Sequence, residues 1–161
     1  MRKAKYEITD RGRIEALLAS CPVGRLGTVG ADGAPTVKPL NFAYDDGKIY
    51  FHGAREGEKI EDIRRDPRVC FEIDVALGYV PARQQGCQAT YRYESVIVRG
   101  TARIIERHEE RLAALDALMR KYQPEGDYGA YVDEKLALTR VVCIDIKEMT
   151  RKSNDVDGLI R

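Results

Sequence analysis

Apolar and polar positions alternate by two along most of this chain and recur by three or four in only a few places. Ile49 and Phe51 alternate with Tyr50 and His52, the spacing of a pleated strand, and Gly53 ends that run. From Glu58 the spacing changes to Ile60 and Ile63, as on a buried helical stripe. A strand is thus expected to hand over to a helix between residues 53 and 58. Further strands are expected at Val23–Val29, Thr36–Tyr44, Val69–Val75, Gln88–Glu106 and Thr139–Lys147, with Gly100 as the bend of the long fifth one. Ile14, Leu17 and Leu18 mark a first helix from about Asp10 to Ala19, capped by Thr9 or Asp10. Leu112, Leu115, Met119 and Tyr122 mark a helix of about four turns, and a short one is expected near Val132–Leu138.

Turn residues join these elements tightly. Gly30-Ala31-Asp32-Gly33 and Asp45-Asp46-Gly47 both read as hairpin turns, so the sheet is expected to be mostly antiparallel. About six strands on so short a chain close most economically into a small barrel, which removes the edges. Pro39 lies within the second strand and cannot donate to a ladder, so that strand is expected at an edge or a bulge. Its free backbone groups could meet the polar rim of a flat ring. Gly24 and Gly27 would let another backbone or a flat ligand approach the first strand. Residues 76–87 read as an irregular loop, either a lid or partner contact or a plain mobile connection. Residues from Ser153 to Arg161 read as a frayed tail.

Composition narrows the function. The 161 residues suit one domain, expected over 1–150 with a tail at 151–161. Charged residues make up 33% but nearly cancel, giving a net charge of +1, which argues against a nucleic-acid partner held by bulk charge. The start, Met1 to Ile8, lacks the apolar run of a signal peptide, and no stretch reaches membrane-span length; a cytoplasmic protein is expected. Cys21, Cys70, Cys87 and Cys143 form no C-x-x-C pair, so neither a metal site nor disulfides are expected, and Cys70 and Cys143 read as small core residues.

The candidate chemistry gathers at the strand-to-helix turn. A helix start presents free backbone N–H groups that favour an anion. Arg55 and Lys59, four apart, could face one phosphate, and Gly57 removes a side chain where a ligand must come close. Glu56 and Glu58 fit equally well with a solvated helix start whose acidic residues complement the dipole, so both readings stand. Tyr91, Tyr93 and Ser95 share a strand face that suits either a cofactor pocket or packing against a neighbour.

Val23-Gly24-Arg25-Leu26-Gly27, Val37 to Phe42, Tyr50 to Ala54 with Gly57 to Ile60, Asp66 to Glu72 and Tyr93 to Gly100 occur in this order. Together they resemble the FMN-binding split-barrel proteins related to pyridoxamine 5′-phosphate oxidase, and among them the nitroimidazole-resistance subgroup. The similarity runs from about Val23 to Ile146. It implies a mainly β fold, a six-stranded antiparallel FMN-binding split barrel with flanking helices, and a homodimer with FMN at the subunit interface. By the same resemblance Arg55 and Lys59 would hold the phosphate, with Gly57 beside them. The backbone of Val37, Lys38, Pro39, Leu40 and Asn41 would follow the ring. Ser95 and Val96 would come from the partner, and His52 would sit beside ring or substrate as the catalytic candidate. Lys38 or Arg25 could supply positive charge near the reduced ring. The oxidase proper has an Arg- and His-containing segment near its end that grips substrate phosphate; this chain has Met149 to Asn154 without histidine, so that activity is not expected. The expected function is reduction of a small, nitro-aromatic acceptor. The alternatives are a non-catalytic flavin- or haem-binding protein in storage, sensing or regulation, and a dimeric interaction module without ligand.

Overall fold

The computed structural model of the chain describes residues 11–154. Its elements run α1 (Arg11–Ser20), β1 (Gly24–Val29), β2 (Pro35–Leu40), β3 (Ala43–Asp45), β4 (Lys48–Ala54), α2 (Glu58–Arg65), β5 (Arg68–Val80), β6 (Thr90–Ile104), α3 (His108–Tyr122), α4 (Asp133–Ala137) and β7 (Thr139–Ser153). The strands form one antiparallel sheet in the order β2-β1-β5-β6-β7-β4-β3. Its two edge strands, β2 and β3, are consecutive in the chain and joined only by Asn41 and Phe42. The sheet therefore curls into a barrel that is split at that corner.

Alternation along the strands sorts side chains onto two faces. Leu26, Ile49, Phe51, Phe71, Ile73, Val96, Val98, Val142 and Ile144 fill the inside. Two helices plug its ends: Ile14 and Leu18 of α1 and Ile60 and Ile63 of α2 belong to the same buried cluster. A second cluster lies outside β4 and β7, where Ala43, Val141 and Cys143 pack under Ala114, Leu115, Ala117 and Leu118 of α3 and Leu136 of α4. The outer face of β1, β2, β5 and β6 has no such cover and exposes Val37, Tyr79, Tyr91 and Ile97.

Several expectations need correction. There are seven strands, because the span expected as one strand over Thr36–Tyr44 breaks at Asn41–Phe42. The Phe42 N–H there bonds Tyr122 Oη at 2.9 Å instead of a ladder partner. Pro39 is on an edge strand, as its missing donor requires. Residues 76–80 are not loop: β5 runs on to Val80 through a register shift between Ala76 and Gly78. β7 continues past Lys147 and the expected start of the tail, because its polar end pairs with Glu94–Arg99 of β6. Gly24 and Gly27 serve the barrel itself: a Cβ at Gly24 would fall 2.0 Å from the tip of the Phe71 ring, and one at Gly27 would fall 3.3 Å from the Cys70 carbonyl. Cys70 points outward and is exposed, whereas Cys143 and Cys21 are buried. The Gly100 bend is a bulge against β7, where a Cβ would meet the Asp145 carbonyl at 2.5 Å. Asp46 and Gly47 both take positive φ, the two-residue hairpin turn that their types favour. The cap expected at Thr9 or Asp10, the N-terminal segment and residues 155–161 of the tail lie outside the described residues.

Candidate functional site

β4 and α2 are joined by Arg55, Glu56 and Gly57. Gly57 is the N-cap of α2 at φ 131°, a conformation that only glycine adopts without strain, so the chain can turn there from strand to helix. Its carbonyl accepts from Ile60 N–H at 2.9 Å and Glu61 N–H at 3.2 Å. The preceding loop is pinned on its other side, where Arg55 N–H bonds the Leu138 carbonyl at 3.0 Å. Arg55 is exposed and Lys59 half-buried. The Lys59 side chain folds back over Gly53: a Cβ at that glycine would lie 2.8 Å from Lys59 Nζ. Gly53 thus supplies the space in which the ammonium group sits.

The two glutamates that could repel an anion do not act alike. Glu58 bonds Lys38 of β2, 2.7 Å away, which draws its carboxylate toward the neighbouring strand. Glu56 is exposed. Lys38 is therefore neutralised within the chain, and so is Arg25, which bridges Glu72 at 3.0 Å and Asp74 at 2.5 Å. Neither is a free positive charge for a bound ring. Arg55 and Lys59, by contrast, have no carboxylate partner among the described residues.

His52 is one residue before Gly53 and points to the opposite face of β4, the side of Val141 and the α3–α4 cover. Partial desolvation, and then the nearby Lys59 charge, lower the pKa of its imidazole, although the residue as a whole stays exposed. The structure places Arg55 and Gly57 in the turn and Lys59 in the first turn of α2, and the Lys38–Glu58 pair joins this segment to β2, where Val37 and Pro39 face outward and Leu40 is half-buried. Asn41 follows at the split corner and donates to the Pro22 carbonyl at 3.0 Å. It does not bring Ser95 or Val96 to them within one chain. Val96 is buried in the barrel, and Ser95 lies opposite Asp74 and Lys152 on the uncovered outer face.

One residue at this end was missed by sequence reasoning. Arg140, the second residue of β7, is the direct partner of Gly53 in the β4–β7 ladder and shares its face. Its guanidinium Nε is buried without a hydrogen-bond partner among the described residues. No local spacing signals it, since 87 positions separate it from Gly53 and only the ladder joins them. No cluster of potential metal ligands occurs among the described residues, and none of their helices is long and apolar enough to cross a membrane.

A split barrel of this topology defines a class of proteins, and the comparisons agree with the fold. The pyridoxamine 5′-phosphate oxidase family profile matches residues 10–153, and the chain belongs to that family. A solved structure of a candidate 5-nitroimidazole antibiotic resistance protein from Bacteroides thetaiotaomicron is 31% identical, with 91% of this chain and 86% of that one covered, at a TM-score of 0.81. The FAD and heme binding protein from Mycobacterium smegmatis shares the fold at 23% identity and TM-score 0.84, over 93% of this chain and 74% of that one. The flavocytochrome Anf3 from Azotobacter vinelandii does so at 20% identity and TM-score 0.83, over 95% and 71%. No curated protein sequence gives a match.

Proposed function

We propose that this protein is an FMN-dependent oxidoreductase that reduces a small acceptor of the nitro-aromatic class and works as a cytoplasmic homodimer. The observation that carries the reading is the pair Arg55 and Lys59, which stands without carboxylate partners at the start of α2 while Glu58 is drawn away by Lys38. A phosphate there meets two cations and the free N–H groups of a helix start. The residues present fit such a group, because Lys59 is held over Gly53 and the buried Nε of Arg140 has no donor outlet of its own. Flavin binding by the M. smegmatis and A. vinelandii proteins of the same fold supports a flavin as the ligand. The 31% identical resistance protein supports a nitro compound as the acceptor.

Bound FMN supplies the electron transfer to the acceptor. The chain's part is to bind and orient it. Arg55 and Lys59 anchor the phosphate, with Gly57 leaving room for it. The edge strand β2 offers unpaired backbone groups at Val37–Asn41 along the ring. The uncovered outer face of β5 and β6 is the subunit seam, across which the partner subunit's Ser95 completes the site; Val96, buried inside the barrel, takes no side-chain part in it. His52 lies on the opposite face of β4 from Lys59 and Arg140, so it has no contact with the phosphate end of the site. All four cysteines are free thiols, which suits a reducing compartment.

The test begins with the absorbance spectrum of the purified protein, which should show bound flavin. Replacing Arg55 and Lys59 together by alanine should weaken FMN binding by about a hundredfold or more, from the loss of two charge-assisted contacts, without changing far-UV circular dichroism. Full flavin occupancy in that variant would refute the phosphate assignment. Reduction of the flavin by a nicotinamide donor and reoxidation by a nitroimidazole should follow; a flavin that no nitro compound reoxidises marks a binding protein instead of a reductase.

A further inference from the structure

Arg140 comes to this end of the barrel from the sheet, beside the strand that leads into the turn. Its ladder partner is Gly53, so its side chain leaves β7 on the face where Gly53 has none and where the Lys59 ammonium sits. Most arginines of this chain end on a carboxylate or a carbonyl: Arg25 on Glu72 and Asp74, Arg65 on Asp62, Arg103 on Glu110, and Arg111 on the Leu136 and Thr139 carbonyls. Arg140 forms no ion pair among the described residues, although its Nε is buried. A buried donor left without a partner costs free energy that a bound acceptor would recover. Along the ladders its neighbours are Val142, the β6 residue Ile104 and, one pair further on, the exposed Glu106, with Lys59 above Gly53; no ion pair to Glu106 forms among the described residues.

We propose that Arg140 is the third phosphate ligand of the site and selects a terminal phosphate monoester, the end group of FMN, over the phosphodiester linkage of FAD. The proposal rests on the flavin reading above. Three cations approach from three elements: Arg55 from the loop, Lys59 from α2 and Arg140 from β7. A monoester presents three terminal oxygens and nearly two negative charges to them. A phosphate within a pyrophosphate has only two such oxygens and one charge, so it satisfies three cations less well. Arg140 therefore discriminates between the two flavins, whereas Arg55 and Lys59 serve either.

The experiment is fluorescence titration of the flavin-stripped full chain with FMN, FAD and riboflavin, for the wild type, Arg140→Gln and Arg140→Lys. In the wild type, FMN should bind at least about tenfold more tightly than FAD. Arg140→Gln should weaken FMN about tenfold or more, leave riboflavin unchanged and bring FMN and FAD close together. Arg140→Lys keeps the charge and volume and loses the planar fork, so it should fold normally and recover only part of the FMN affinity. Unchanged FMN affinity in both variants, or a wild type that prefers FAD, would overturn the role given to Arg140 while leaving the flavin reading in place. Failure of the wild type to bind any of the three flavins would overturn that reading, and this proposal with it.

Discussion

Asp62 is a carboxylate on the buried face of α2, an arrangement that single residues seldom tolerate. Burial by itself raises its pKa, but hydrogen bonds from Thr28 at 2.8 Å, Arg65 at 2.6 Å and Thr36 at 3.3 Å outweigh it, and the net shift is downward. Two of these donors lie on β1 and β2, so Asp62 fixes α2, and with it Lys59, against the sheet. Replacement by alanine removes the shared acceptor of Arg65 and of the Thr28–Thr36 hydroxyl pair, leaving one of the two hydroxyls without an acceptor, and should cost roughly 2–3 kcal/mol, measured by urea unfolding at pH 7. A carboxylate whose folded pKa is depressed contributes stability that is complete above its unfolded value and is lost as pH falls through the folded one. The stability gap between wild type and Asp62→Asn should therefore be full at pH 7 and shrink below about pH 4. The sequence announces the local members of the site and hides the distant ones. Arg55, Gly57 and Lys59 lie within five positions, across the turn and the start of α2, where spacing alone suggests a shared ligand. The Asp62 contacts to Thr28 and Thr36, and the placement of Arg140 over Gly53, depend on strand pairings that no local spacing encodes.

At the scale of elements, the corner between β2 and β3 is held by a side chain from the far end of the chain. Tyr122, the last residue of α3, accepts from Phe42 N–H and uses its one proton on the Pro22 carbonyl at 2.8 Å or the Phe42 carbonyl at 3.0 Å. Beside it Lys121 donates to the Leu18 carbonyl at 2.9 Å, satisfying the end of α1, and stands 3.5 Å above the Phe42 ring; burial lowers its pKa to about 8. These two residues keep the split in the barrel at a fixed place. Tyr122→Phe should cost about 1–2 kcal/mol, because it leaves the Phe42 N–H without an acceptor, and amide hydrogen exchange at Phe42 should speed up more than in the centre of β6. Strands with one buried and one wet face, such as Val69–Val75, are legible because alternation reports exactly one buried face in two. The end of β7 is not, since Glu148–Ser153 is polar on both sides and is held as strand only by its pairing with β6. Nor is the β2–β3 break, because its cause, Tyr122, is 80 residues away from Phe42.

The whole molecule has one half of its outer surface covered and one half bare. α3 and α4 close the outside of β4 and β7, while the outside of β1, β2, β5 and β6 exposes Ile97, Tyr79, Tyr91 and Val37. An uncovered sheet face of this kind, with apolar side chains set among the Arg25–Glu72–Asp74 and Arg99–Glu148 pairs, suits a second copy of the chain. The same asymmetry bears on the cofactor site. Arg140 pairs with Gly53, and Lys152, on the same strand, pairs with Ser95. Twelve residues of extended chain separate the two, roughly 40 Å. On the proposed flavin reading, Ser95 of the same chain is too far along the sheet from Arg55 and Lys59 to share their ligand, and the proposed dimer would supply Ser95 from the second copy. Ile97 sits between Glu72 and Thr150 on that face, so a lysine there gains a neighbour of opposite charge within its own chain yet brings two charges to a two-fold seam. Ile97→Lys should therefore fold with an unchanged circular dichroism spectrum, run as a monomer in light scattering, and lose FMN although Arg55, Lys59 and Arg140 are intact. A monomeric variant that keeps its flavin would place the whole cofactor site within one chain, and a variant that stays dimeric would move the seam to another surface.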